Sequence, residues 1–208
     1  MSTTNEIPEM KLNLFEIANQ NAMRIENHYR KIEKKYSPED KTILEEFVAF
    51  VEKNWHLSIN LKLSEINSFL ISGTYQNLFR IIEEDLKELS RVRSIDISRE
   101  EAAKNRIGIF YEKRKIFENL FEESNRFIYA ALNIGGIGLK KYGEFSLIVP
   151  QDRVKKIPSC AFLKKESISY VKKGSLALKQ LKNDTANRKT IHLLTAIKNE
   201  KELLEKQS

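Results

Sequence analysis

The chain has 208 residues and a formal net charge of +7, with 41% hydrophobic and 31% charged residues, enough to bury one sizeable core and most simply read as one domain. Its apolar runs are short and broken by charge, so no segment approaches the roughly 20 residues that span a bilayer; the polar opening MSTTNEIPEMK has nothing of signal-peptide type. Cys160 stands alone, which excludes an intrachain disulfide, fits a reducing compartment and favours a buried structural thiol over a nucleophile.

The charge is uneven. Residues 150 to 208 hold 14 Lys/Arg against 6 Asp/Glu, a net +8, while residues 1 to 149 carry −1. Such a basic stretch can steer a chain toward nucleic acid, an acidic protein or a phosphorylated ligand, or can simply be solvated helix surface.

From Leu12 to Lys35 the apolar residues return at threes and fours, which predicts an amphipathic helix. Ser37 as N-cap, Pro38 in the first turn and the acidic pair Glu39 and Asp40 restart a helix that should end near Lys53. The period then changes. Trp55, Leu57, Ile59 and Leu61 alternate with His56, Ser58 and Asn60, a half-buried strand with His56 on the face opposite the tryptophan. Ser64 can cap a short helix that Gly73 closes, and the charged stretches from Leu78 to Val92 and from Ser98 to Glu123 are again helix-periodic.

At Arg126 the character shifts to RFIYAALN, EFSLIVP and SISYV, short segments rich in aromatic and branched residues that read as strands. Between the first two lies NIGGIGLKKYGE, with four of the seven glycines, a loop suited to unusual backbone angles or close approach of a ligand. After Gly174 the chain reads as one or two basic helices. The expected fold is α+β: N-terminal helices over 1–53, a small mixed or antiparallel sheet in a core spanning 54–175 with a helical insertion at 78–123, and a basic C-terminal helix within 176–208.

Several chemistries find no footing. GGIG has neither the GxGxxG nor the GxxxxGK[ST] order of phosphate-binding loops. His28, His56 and His192 lie far apart and no HExxH or CxxC occurs, so no metal is expected. The spacings RIENH and RKTIH are shorter than those of helical nucleases and read as helix-surface pairs.

The order strand with His, short helix, Gly, Tyr in WHLSINLKLSEINSFLISGTYQNLF resembles the first motif of ADP-ribosyltransferase-like folds. RFIYAALNIGGIGLKKYGEFSLIVPQDRVKKIPSCAFLKKESISYV looks like an uncharacterised bacterial domain family of the same type, through Tyr129-Ala130-Ala131-Leu132-Asn133, Tyr142-Gly143, the basic link Arg153 to Lys156 and Glu166-Ser167. The resemblance covers about residues 55–171 and implies NAD as substrate. In that reading His56 fixes the adenosine-side ribose, Tyr75 stacks on nicotinamide, Asn77 and Phe79 line the cleft, and Tyr129 and Asn133 close it. A carboxylate, Glu166 first and Glu144 second, orients the acceptor, and the glycine loop recognises it. Such families place a glutamate on a late core strand; here Glu166 stands where their pattern has aspartate.

The implied activity is mono-ADP-ribosyl transfer by a toxin or effector, cytoplasmic or delivered to a host cell without a cleaved signal peptide. A protein acceptor is favoured over nucleic acid, because no aromatic is interleaved with the basic residues between Lys172 and Ser208. The alternative is a non-catalytic helical interaction protein whose basic C-terminal surface binds an acidic partner or nucleic acid.

Overall fold

A computed structural model describes residues 11–75, 77, 81–84, 86–87, 98–136 and 138–205. Asn13 caps α1 (Leu14–Gln20) by accepting from the amides of Phe15 and Glu16. The single helix expected over residues 12–35 is broken at Asn21, after which α2 (Ala22–Glu33) begins. The reason is tertiary: the buried Asn21 amide donates to the carbonyls of Asn183 (3.1 Å) and Thr185 (2.8 Å), tying the break to the far end of the chain. Ser37 accepts from the Asp40 amide and Pro38 opens α3 (Pro38–Asn54), which runs directly into β1 (Trp55–Leu61).

Helix α4 (Leu63–Ser72) starts one residue before the expected cap. Lys62, not Ser64, is the N-cap residue, its amide donating to Glu65 Oε2 at 2.8 Å, and Gly73 closes the helix at φ 66°, a left-handed conformation that glycine adopts at little cost. Ser98 caps α5 (Arg99–Ile107), and α6 (Tyr111–Asn119) follows a single 3-10 turn. Residues 81–84 and 86–87 are helical.

The sheet is antiparallel, with β1 between β2 (Ala131–Ile134) and β3 (Phe145–Val149). Two expected strands are shorter than their sequences suggest. RFIYAALN pairs only from Ala131, because residues 124–126 form a 3-10 turn and Phe127 packs with the Phe117 and Phe121 cluster. SISYV is a 3-10 turn over Ser167–Tyr170, with only Val171 entering a strand; Ser169 donates to the Glu166 carbonyl and Tyr170 is pulled fully inside. Short pairs follow: β4 (Phe162–Leu163) with β7 (Thr185–Ala186), and β5 (Val171–Lys172) with β6 (Ser175–Leu176). A four-residue helix α7 (Gln151–Val154) leaves β3, α8 (Leu178–Asn183) precedes β7, and α9 (Ile191–Glu205) ends the described chain.

Two apolar clusters hold these elements. The first joins Ile25, Tyr29, Leu44 and Val51 to Trp55, Val154, Phe162, Ile191 and Leu194, so that α2, α3 and α9 pack on one face of the sheet; Trp55 meets Phe162 edge to face at 5.5 Å. The second joins Leu14 and Ile17 of α1 to Phe117, Phe121, Tyr170, Val171 and Leu181. Both clusters draw on residues from each of the stretches 1–53, 54–175 and 176–208. The C-terminal helix in particular buries Ile191, Leu194, Thr195, Ala196 and Ile197, so its apolar side is core and only its polar side is surface. No helix among the described residues is long and apolar enough to cross a membrane.

Replacing Asn21 by Ala removes the donor to one buried and one half-buried carbonyl and should cost about 1–3 kcal/mol, read as a lower Tm with an unchanged urea m-value. A second expectation concerns pH. Burial lowers the His192 pKa against the opposing pull of Glu52 and Glu26, and burial followed by Lys164 lowers that of His28. The unfolded chain then binds more protons than the native one below about pH 6.5, so stability should fall as pH drops through that value. His192→Gln should flatten the slope of Tm between pH 7 and 5.

Candidate functional site

Strand alternation divides β1 into two chemical faces. Trp55, Leu57, Ile59 and Leu61 point to the core, while His56, Ser58 and Asn60 take the outer face. The register sets His56 beside Asn133 of β2, Ser58 beside Ala131 and Ile148, and Asn60 beside Ser146 of β3. The outer face is therefore a polar strip built by three strands, with His56 and Asn133 as cross-strand neighbours at one end.

The glycine-rich segment lies over part of this strip. Gly136 N–H donates to Asn133 Oδ1 at 2.8 Å, Leu139 N–H donates to Asn60 Oδ1 at 2.7 Å, and Asn60 Nδ2 donates to the Gly143 carbonyl at 3.2 Å. A Cβ at Gly138, whose φ is +84°, would stand 2.5 Å from Asn60 Oδ1, 2.8 Å from Ser58 Oγ and 3.0 Å from Ser146 Oγ. The segment expected to recognise an acceptor is docked on the sheet, and glycine is what lets its backbone approach. Beneath it Ser58 Oγ, Ser146 Oγ and Asn133 Nδ2 are buried without a hydrogen-bond partner among the described residues, a condition that polar groups rarely keep unless another ligand or water serves them.

Tyr75 and Tyr129 belong to a second cluster. Tyr75 lines a cavity of about 90 Å³ with Glu65, Phe69, Thr74 and Arg106. Arg106 bridges to Glu65 at 2.7 Å, joining α5 to α4. Tyr129 donates to Glu118 Oε1 at 2.9 Å, its ring lies 4.3 Å beneath the Arg114 guanidinium, and Arg114 is paired to the same carboxylate at 2.7 Å. Burial, then the Glu65 charge, raises the Tyr75 pKa, with Arg114 and Arg106 opposing; burial and Glu118 raise that of Tyr129. Both phenols stay protonated at neutral pH, and the Tyr129 ring carries the Arg114 guanidinium over its face.

The remaining expected site residues are dispersed. Asn77 donates to the Asn125 carbonyl at 2.9 Å, and Phe79 lies outside the described residues. Glu144 is one residue beyond the Phe145–Leu61 pair, so at least about 17 Å of strand separates it from the His56 row. Glu166 caps the turn 167–170, which packs against α6, α8 and β5, whereas His56 neighbours β2. Another concavity, about 470 Å³, is an open depression along α8 lined by Ala177, Lys179 and Asp184, and none of the expected residues lines it. No group of three or more His, Cys, Asp or Glu able to hold a metal occurs among the described residues.

Ser58 and Ser146 escaped the sequence reading as site residues, although the period-2 pattern places Ser58 on the His56 side. Arg114 and Glu118, four apart on α6, also escaped the sequence reading; burial of Glu118 is what sets them apart. No family model, curated protein or solved structure matches this chain.

Gly138→Ala should cost about 2 kcal/mol or more, because the new methyl meets three oxygens and the backbone angle is strained; hydrogen exchange at the Leu139 amide should accelerate with it. Ser58→Ala removes a hydroxyl with no partner among the described residues, and its Tm should hold or rise.

Proposed function

We propose that this chain is an ADP-ribosyltransferase-like protein that binds NAD on the polar face of its small sheet and transfers ADP-ribose to a protein acceptor. The observation that carries the reading is the placement of His56 beside Asn133 on the outer face of the central strand. Asn133 Oδ1 is held by Gly136 N–H, which leaves the His56 imidazole and Asn133 Nδ2, without a partner among the described residues, as the acceptor and donor that a ribose diol would take. Tyr129 lies four residues before Asn133, at most about 13 Å away along an extended chain. In this reading the dinucleotide would run from His56 toward Tyr129, which lies in the neighbouring cluster with Glu118 and Arg114.

In this reading His56 and Asn133 hold the adenosine-side ribose, and the Tyr75 and Tyr129 rings stand at the nicotinamide end. The carbon–nitrogen bond between nicotinamide and ribose breaks with its electron pair leaving on nicotinamide. The acceptor nucleophile then bonds to the ribose carbon and gives up its proton. A carboxylate nearby would stabilise the positive charge that develops on the ribose. Glu166 and Glu144 are the candidates from the resemblance. Glu65 is the carboxylate beside Tyr75, already engaged by Arg106 and the Lys62 amide.

The second reading is a non-catalytic interaction protein. It is favoured by α4, which buries no side chain and exposes Leu63, Leu70 and Ile71, the last at 88%. Apolar surface of this kind commonly marks a protein-binding face.

The experiment is incubation of the purified chain with labelled NAD and a whole-cell lysate, with NAD-dependent melting in parallel. Saturating NAD should raise the Tm by mass action, by the equivalent of about 2.7 kcal/mol at a hundredfold excess over Kd, and label should move to a protease-sensitive product. His56→Ala and Asn133→Ala should lose both effects, while Glu65→Gln, Glu144→Gln and Glu166→Gln should keep the Tm shift, one of them losing transfer. An unchanged Tm with no label transferred would leave the interaction protein as the reading.

A further inference from the structure

Where β3 ends, the chain turns through Pro150 into α7 and delivers Arg153, Lys155 and Lys156 to the surface. Arg188, more than thirty residues later in sequence, reaches back to this turn, and its Nη1 donates to the carbonyls of Val154 (3.1 Å) and Lys155 (2.6 Å). That clamp ties the backbone next to exposed Lys189 to the turn that carries Lys155 and Lys156. The basic residues of two distant segments thus form one patch. The carboxylates in reach are Asp152, 3.9 Å from Arg153 with both side chains largely exposed, and Glu52 at the end of α3, whose carbonyl accepts from Gln151.

The patch has a definite position. Val149, the last residue of β3, pairs with Leu57, next to His56 on β1, and α7 packs against β1. The cations therefore lie at the His56 end of the sheet, beside the cluster in which Val154 packs with Trp55. Their flank is apolar: Ile157 is 40% exposed, and Pro158 beside it is also exposed. No aromatic occurs between Pro150 and Ala161 to stack on a base, and a helix of four residues cannot lie in a duplex groove as a reading element.

We propose that this patch, Arg153, Lys155, Lys156 and Lys189 organised by Arg188, is a docking surface for an acidic stretch of a protein partner. Resting on the function proposed above, that partner is the acceptor, delivered to the His56 end of the sheet. Charge complementarity there acts mainly on encounter and on choice of partner, and so depends on salt.

The test is fluorescence anisotropy of a labelled poly-glutamate peptide on the full chain at low and physiological salt, with single- and double-stranded DNA oligonucleotides as parallel arms and NAD-dependent melting measured on the same samples. The peptide should bind in a salt-dependent way. Lys155→Glu with Lys156→Glu should weaken it by about tenfold or more, as should Lys189→Glu to a smaller extent, with the Tm unchanged because all three side chains are exposed. Reversal of exposed Lys113 on α6 should leave binding as it was. Peptide binding that ignores the patch variants, no peptide binding at all, or tighter binding of either oligonucleotide with the same sensitivity would overturn the proposal. Peptide binding without any NAD shift would keep the docking surface and remove the transferase reading.

Discussion

Every residue of β1 is committed by the burial of Trp55. The indole is 3% exposed and packs edge to face on Phe162, among side chains from α2, α3 and α9. Fixing it inward fixes Leu57, Ile59 and Leu61 inward as well, since a one-residue slip would expose all four. His56, Ser58 and Asn60 are then carried outward with no choice of their own. The polar strip is thus a by-product of core formation, and its geometry is as rigid as the core that sets it.

The cost of that arrangement appears directly above the strand. A polar strip in the middle of a sheet has to be solvated or covered, and here Gly136, Gly138 and Leu139 cover it with backbone. Asn60 and Asn133 act as adaptors, each using a side-chain oxygen to satisfy a loop amide. The cover is incomplete, for Ser58 and Ser146 keep buried hydroxyls with no partner among the described residues. Buried groups left in this state weaken the fold locally and are the natural contacts for anything that displaces or supplements the cover.

Around this centre the chain interlaces its ends. Asn21 near the beginning holds carbonyls at residues 183 and 185, and Arg188 near the end holds carbonyls at residues 154 and 155. These polar ties sit beside the two apolar clusters and determine how surface charge is distributed. The C-terminal basicity is divided by them: α9 turns one side into the core, while Arg188 is bound to the turn after α7.

The alternation at residues 55–61, the capping chemistry of Ser37, Ser98 and Gly73, and the helical period of α3 are local, and the sequence determined them unaided, because each depends on neighbours within one turn or one strand. So was the orientation of His56 away from the tryptophan. Tertiary structure decided the rest. It broke the first helix where Asn21 found distant carbonyls, and it turned Ser167–Tyr170 from an apparent strand into a 3-10 turn by burying Tyr170. It set Asn133 beside His56 through strand register. It also separated Glu144 from that pair along the strand, drew Tyr129 under Arg114 and Tyr75 into the cavity beside Glu65 and Arg106, and docked the glycine loop. Each of these depends on contacts across many tens of residues, and a local pattern carries no record of which distant partner closes the contact.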